Sequence, residues 1–243
     1  DNKNKKLYLA RDRLGIKPLY WSFQNKIFYF GSQPKCFIAN KYWKKKIQIN
    51  SLLYYFQFGY IAPPNSIFES TSQIEPGNFL SIDFKGSYEI KRYWDLNKKI
   101  NKNKKLLNAQ EYTENLKNLL NKVVSQHLIS DVPLGSFLSG GIDSSTISLI
   151  MSQQKKNIET FSVGYKDKSK IFDETEYATK IAKIIGSNHT NLEINPKEIL
   201  NNIANIVEEY DEPFADSSQL PTFLLSKLVR KRVTVCLSGD GGD

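Results

Sequence analysis

Apolar and polar positions divide the chain into two regimes. Up to about residue 95 the apolar residues fall in short runs, Leu7–Ala10, Leu19–Phe23, Ile27–Phe30 and Phe79–Phe84, separated by turn residues such as Gly15, Pro18, Gly31 and Gly77. Runs of that length bounded by glycine and proline predict strands. Lys85-Gly86-Ser87 predicts a hairpin turn into a further strand from Tyr88 to Tyr93. Strands that follow one another so directly predict antiparallel pairing. An aromatic helix is expected over residues 51–58, capped by Asn50 or Ser51 and stopped by Gly59 and Pro63-Pro64.

From Glu111 the period lengthens. Leu116, Leu119, Leu120, Val123, Val124 and Leu128 recur at three and four, which predicts a helix with one apolar stripe. Strands are expected over 132–138, 159–164, 189–194 and 232–237. Between them lie helical patterns that open near Thr146, span Tyr177–Ile185, run from Pro196 to about Glu209, and run from Ser217 or Ser218 through Leu228. Strands separated by helices predict a parallel, doubly wound α/β sheet with ligand sites at the C-terminal strand ends. The polar tract 97–106 between the two regimes reads as a linker.

Two stretches at predicted strand ends carry candidate chemistry. In Ser139-Gly140-Gly141-Ile142-Asp143-Ser144-Ser145 a buried strand feeds glycines, serines and then a helix, which is a cradle for phosphate. Asp143 is out of place beside phosphate unless Mg²⁺ lies between them. The Lys-Ser/Thr of a Walker loop is absent. The plainer alternative is a turn capped by Asp143 or Ser139. The second stretch, Ser238-Gly239-Asp240-Gly241-Gly242-Asp243, ends the last strand, so Asp143 and Asp243 can face one nucleotide.

Composition narrows the classes. The net charge of +9 is uneven: residues 1–105 hold 20 Lys/Arg against 7 Asp/Glu, and residues 106–243 hold 14 against 18. The excess sits in Lys/Asn-rich tracts without regularly interleaved aromatics, which argues against nucleic-acid binding. No run approaches a membrane span and no signal-type segment is seen, so a cytoplasmic protein without membrane association is expected. Cys36 and Cys236 read as buried small hydrophobes. His127 reads as a packed or capping residue, and Arg11-Asp12-Arg13 as a structural ion-pair loop.

These residues carry a family resemblance. The Ser139–Ser145 loop resembles the pyrophosphate loop of ATP pyrophosphatases. Arg11-Asp12-Arg13-Leu14-Gly15-Ile16-Lys17-Pro18-Leu19-Tyr20, Tyr93-Trp94-Asp95-Leu96, Ser130–Leu138, Asp211–Ser218 and Ser238–Asp243 resemble, in order, motifs of glutamine-dependent asparagine synthetases. The resemblance implies residues 1–96 as the C-terminal part of an antiparallel N-terminal-nucleophile glutaminase domain. Residues 97–106 are the linker, and residues 107–243 are the first part of an ATP-pyrophosphatase synthetase domain.

The implied reaction activates aspartate with ATP as a β-aspartyl adenylate, which ammonia from glutamine converts to asparagine. Leu138 and Val163 would line the adenosine pocket, and Ser238 and Gly239 would touch the nucleotide. Ser139, Gly140, Gly141, Asp143, Ser144 and Ser145 would hold pyrophosphate. Asp143 and Asp243 would carry Mg²⁺, and Asp240, where the family often has Glu, would act near the intermediate. A homodimer is compatible with this reading. The chain starts at Asp1 without the family's nucleophilic cysteine and stops at Asp243, so it is expected to be an internal fragment that cannot hydrolyse glutamine by itself. Other amide ligases on the same scaffold, acting on surface sugars or forming β-lactams, and a non-catalytic nucleotide-binding remnant are the alternatives.

Overall fold

A computed structural model describes residues 1–100, 107–165 and 174–241. In chain order the elements are β1 (Lys6–Ala10), β2 (Tyr20–Gln24), β3 (Ile27–Gly31), α1 (Lys35–Ile38), α2 (Ile49–Phe58), β4 (Thr71–Gln73), β5 (Asn78–Asp83), β6 (Tyr88–Arg92), α3 (Ala109–His127), β7 (Leu134–Phe137), α4 (Ile142–Gln154), β8 (Glu159–Tyr165), α5 (Thr175–Ile185), β9 (Asn188–Ile194), α6 (Pro196–Glu209), α7 (Gln219–Val229) and β10 (Val235–Leu237). Two compact units result, one of Asp1–Lys104 with Val207–Asp216, the other of Lys105–Ile206 with Ser217–Asp243.

The first unit holds two three-stranded antiparallel sheets, ordered β1-β5-β6 and β3-β2-β4. The hairpin at Lys85-Gly86-Ser87 forms as its sequence predicts, with Ile82 opposite Tyr88. Two apolar clusters fill the unit. Leu9, Trp21, Ile74, Leu80 and Ile82 form one, and Tyr29, Phe37, Trp43, Ile61, Ile67 and Phe68 the other. The helix α2 opens at Ile49 after Gln48, and neither Asn50 nor Ser51 caps it. The hydroxyl of Ser51 is already committed, donating to the Ser66 carbonyl at 2.7 Å. Gly59 ends the helix in the left-handed region, where glycine carries no Cβ penalty.

Residues distant in sequence complete this unit. Ser66 donates its hydroxyl to Glu212 at 2.6 Å and the Ile67 N–H donates to the same oxygen at 2.9 Å. Asp211 accepts from the Lys35 N–H at 2.6 Å. Burial raises the Glu212 carboxyl above its ordinary pKa, against the pull of these donors. Cys36 is exposed, contrary to the expectation of a buried residue. On the short α1 it is Phe37, one position on, that points into the core.

The second unit is a four-stranded sheet ordered β10-β7-β8-β9. Every pair in it is parallel. Val124 of α3 packs with Leu134, Ile150, Met151 and Ile158. On β8, Phe161 packs with Leu225, Val229 and Val233 around α7. Its neighbours Thr160 and Ser162 turn the other way, into a polar network with His189, Asn191 and Thr179 of α5. Alternation along β8 thus gives the sheet two covered faces, the doubly wound arrangement.

Three details of this unit depart from the sequence pattern. The α3 stripe is only half packed: Val124 is buried, whereas Leu116 and Leu119 are exposed. The strand expected over 232–237 begins at Val235. The N–H groups of Arg232 and Val233 bond back to Val229 at the end of α7, so they are spent before the ladder starts. The helix expected near Thr146 opens at Ile142, because extended Gly141 already serves as its N-cap.

Candidate functional site

The chain leaves β7 outward through β8 and β9, then returns to lay β10 on the other side of β7. The order therefore reverses between β7 and β10. In an open α/β sheet the crevice beyond the strand ends at such a reversal receives ligands. The segments that emerge there are Ser139–Ser145 after β7 and Ser238–Gly241 after β10.

The first segment is a shaped loop rather than a capped turn. Gly140 sits at φ +89°, and a Cβ there would lie 2.7 Å from the Cβ of Tyr177 and 2.8 Å from the Ala178 nitrogen. Only glycine lets the loop rest on α5 in that conformation. The Ser139 hydroxyl accepts from the Gly141 N–H at 3.2 Å and lies 2.9 Å from the Ser144 hydroxyl. The Ser144 hydroxyl also accepts from the Ser139 N–H at 3.2 Å. Neither Ser139 nor Asp143 caps α4. Ser144 is thus committed to loop shape, whereas the Ser145 hydroxyl is shielded and has no partner among the described residues. Asp143 is exposed in the first turn of α4, where the positive end of the helix dipole lies.

The second segment presses on the first. A Cβ on Gly239 would stand 2.6 Å from the Ser144 nitrogen and 2.9 Å from the Asp143 Cβ. The two Ser-Gly loops are therefore in backbone contact, and Gly239 is required for it. The Ser238 hydroxyl accepts from the Asp240 N–H at 3.4 Å. Asp240 is exposed. Beside the loops is a cavity of about 460 Å³ lined by Asp143, Thr146, Ser238 and Asp240 and floored by Leu116, Leu120 and Val123 of α3. Of the exposed stripe residues Leu116 and Leu119, Leu116 faces that cavity. His127 also lines it, with Nδ1 2.9 Å from the Val123 carbonyl.

The remaining predicted residues flank the crevice. Leu138 is buried against Ala178 and Ala182, and its N–H donates to the Phe161 carbonyl at 2.8 Å. Val163 is half-buried near the end of β8. Asp243 lies outside the described residues. Cys236 is free, and burial raises its thiol pKa to about 11, which disfavours thiolate chemistry. Among the described residues no cluster of three or more His, Cys, Asp or Glu could hold a metal by itself. Asp143 suits Mg²⁺ as a single carboxylate, which is how that ion is often held when phosphate supplies the other oxygens. No helix among the described residues is long and apolar enough to cross a membrane.

Sequence reasoning missed what stands behind these loops. Ser136 and Ser148 form a fully buried pair beneath them, their hydroxyls 2.9 Å apart. The available signal was Ser136 itself, a lone hydroxyl within the apolar run from Val132 to Leu138.

Fold and site together define a doubly wound α/β unit with a candidate ligand crevice at its switch point and a separate unit of antiparallel sheets, and a family model matches each. The family model described as "Asparagine synthase" matches residues 115–243, and that described as "Glutamine amidotransferase domain" matches residues 1–94. The chain belongs to the asparagine synthase family.

Among curated relatives, a putative glutamine-hydrolyzing asparagine synthetase 2 of Methanocaldococcus jannaschii is 38% identical over all of this chain and 47% of its own length. Glutamine-hydrolyzing asparagine synthetase 1 of Bacillus subtilis is 34% identical, again over all of this chain and 37% of its own length. The chain thus spans less than half the length of these relatives. Among solved structures, the NMN synthetase of Francisella tularensis superposes with a TM-score of 0.35 at 15% identity, covering 54% of each chain.

Proposed function

We propose that the chain is the nucleotide-gripping portion of an ATP-dependent amide ligase that converts aspartate to asparagine. The substrate carboxylate attacks the α-phosphorus of ATP, the bond to the β-phosphate breaks, and pyrophosphate leaves. Ammonia derived from glutamine then displaces AMP from the β-aspartyl adenylate. One observation carries the reading: the Ser139–Ser145 and Ser238–Gly241 loops touch at the switch point, with Gly239 against Asp143 and Ser144.

In this reading the backbone N–H groups of Gly140 and the first turn of α4 hold pyrophosphate, assisted by the Ser145 hydroxyl, in a loop that the Ser139 hydroxyl shapes by accepting the Gly141 N–H. Ser144 holds the loop in shape. Leu138, with its side chain in the core, meets adenosine through its backbone, and Val163 through its side chain. Ser238 and Gly239 approach the nucleotide from the other side. Asp143 and Asp243 would hold Mg²⁺, which when bound would supply charge neutralisation for the departing pyrophosphate. Asp240 lies at the lip of the crevice, where it acts on the acyl intermediate. The family match supports cytoplasmic biosynthesis with small-molecule partners.

The test has two parts. The 243-residue chain is titrated with ATP in the presence of Mg²⁺, and protein carrying the whole chain is assayed for exchange of labelled pyrophosphate into ATP with and without aspartate. ATP binding and aspartate-dependent exchange are expected. Exchange driven only by another carboxylic acid would move the assignment to a different ligase. Absence of ATP binding would remove it.

A further inference from the structure

Contact between the two Ser-Gly loops makes their separation a tightly set quantity. The Gly239 backbone already lies so close to Ser144 that a single Cβ would clash at 2.6 Å. Something beneath the loops must fix how far the end of β10 stands from α4. Hydrogen bonds between β10 and β7 fix the strands to each other, with Leu237 opposite Ser136. They do not reach α4, which carries Asp143, Ser144 and Ser145.

One buried group touches all three elements. The Ser136 hydroxyl, on β7 two residues before Leu138, is fully shielded from solvent and 2.9 Å from the hydroxyl of Ser148 on α4. It also lies 3.4 Å from the carbonyl of Leu237, the last residue of β10 before Ser238. The third neighbour is the Phe137 carbonyl, at 3.4 Å. Ser148 is equally shielded and stands one helical turn after Ser144. With Ser148 donating, the Ser136 proton is free for the Leu237 carbonyl, and a relay runs from α4 through β7 to β10. A hydroxyl pair is a costly choice here if the only need were to fill space, since alanine would pack without a polar atom to satisfy.

We propose that Ser136 and Ser148 are positioning residues. Their buried relay sets the spacing between the Ser238–Gly241 loop and the Ser139–Ser145 loop, and through it the grip on the triphosphate of a nucleotide. The functional half of this statement rests on the nucleotide reading above; the structural half does not.

The test uses the 243-residue chain with Ser136→Ala, Ser148→Ala and the double substitution. Three measurements are made: unfolding midpoint, affinity for ATP with Mg²⁺, and amide hydrogen exchange across 235–241. Each single substitution strands one buried hydroxyl, so its midpoint is expected to fall by about 2–4 °C. The double variant removes both polar groups, and most of that loss should return. A space-filling pair would recover its ATP affinity as well. A positioning relay would not: affinity in the double variant stays weaker by about tenfold, the scale of one hydrogen bond to the nucleotide lost. Exchange across 235–241 stays faster than wild type.

Wild-type affinity and exchange in the double variant would overturn the proposal. If the wild-type chain binds no ATP, the nucleotide reading fails instead. Exchange across 235–241 then decides the relay alone, faster exchange supporting it and unchanged exchange refuting it.

Discussion

Two glycine-containing loops, one in each unit, each carry one aspartate and are built in opposite ways. In the Arg11–Lys17 loop the Arg11 guanidinium and the Asp12 carboxylate are consumed by the loop and its immediate support. The Arg11 guanidinium is buried and donates to the carbonyls of Lys17 at 3.0 Å, Ile74 at 2.7 Å and Gly15 at 3.0 Å. The Asp12 carboxylate accepts the N–H groups of Leu14, Ile16 and Lys17, and these donors, Lys17 foremost, hold its pKa below the ordinary value. Tyr93 caps the arrangement by donating to the Arg11 carbonyl at 2.6 Å. Arg11 and Asp12 therefore work through backbone groups, not through the mutual ion pair expected from their sequence.

The Ser139–Ser145 loop spends only Ser139 and Ser144 on its own shape. Asp143 and the Ser145 hydroxyl, together with the first N–H groups of α4, are left over. A folded protein rarely leaves a shielded hydroxyl such as that of Ser145 without a partner. A loop that satisfies itself is scaffold, and one that keeps donors and a carboxylate in reserve has groups available to a ligand.

The contrast can be broken at its strongest point first. Asp143→Asn should reduce ATP–pyrophosphate exchange by at least ~10²-fold, the scale for losing one preorganised charge contact, with the unfolding midpoint unchanged. Wild-type exchange in that variant would mean that Asp143 is not held in reserve for the reaction.

Arg11→Met is the mirror experiment. It strands three carbonyls and should cost about 2 kcal/mol in urea unfolding while ATP affinity stays at its wild-type value. A large loss of ATP affinity at full stability would make the Arg11 loop something more than scaffold.

The smallest effect sharpens the same distinction within the second unit. His189 belongs to a self-satisfied network: Thr160 lies 2.9 Å from Nδ1, and Nε2 is 2.7 Å from the Asn191 side-chain oxygen. This geometry suits the neutral ring with its proton on Nε2. Burial lowers its pKa below the ordinary 6.5, against the raising effect of Asn191. The unfolded chain then binds the proton more readily than the folded one. Stability from His189 is therefore present above the ordinary pKa and is lost as pH falls through it toward the lowered value. His189→Gln should flatten the decline of the unfolding midpoint between pH 7 and pH 5. An unaltered decline would assign the acid sensitivity to other groups.

Much of this was legible in the residues alone. Short apolar runs between turn residues announced the antiparallel sheets, and strand–helix alternation announced the parallel one. Hydrophobic periodicity is local and survives without tertiary information. Legibility failed where backbone donors had competing partners, as at Arg232 and Val233, and where a side chain was claimed from afar, as with Ser51 by Ser66. The start of α4 was placed late, near Thr146, because Gly141, which has no side chain to signal it, is the N-cap.

The sequence by itself determined both fold types, the family, and the glycine turn at Ser139–Ser145 between a buried strand and a helix. Residue type and spacing dictate those, since glycine alone tolerates φ +89° at Gly140 and a run such as Leu134–Leu138 must be buried. Only the tertiary structure decided which serines are free and which are structural. It also decided that Gly239 abuts Ser144 and that Ser136 reaches Ser148. Those facts depend on which strands become neighbours, and the strands that meet at this crevice are about a hundred residues apart in the chain, β7 ending at Phe137 and β10 at Leu237.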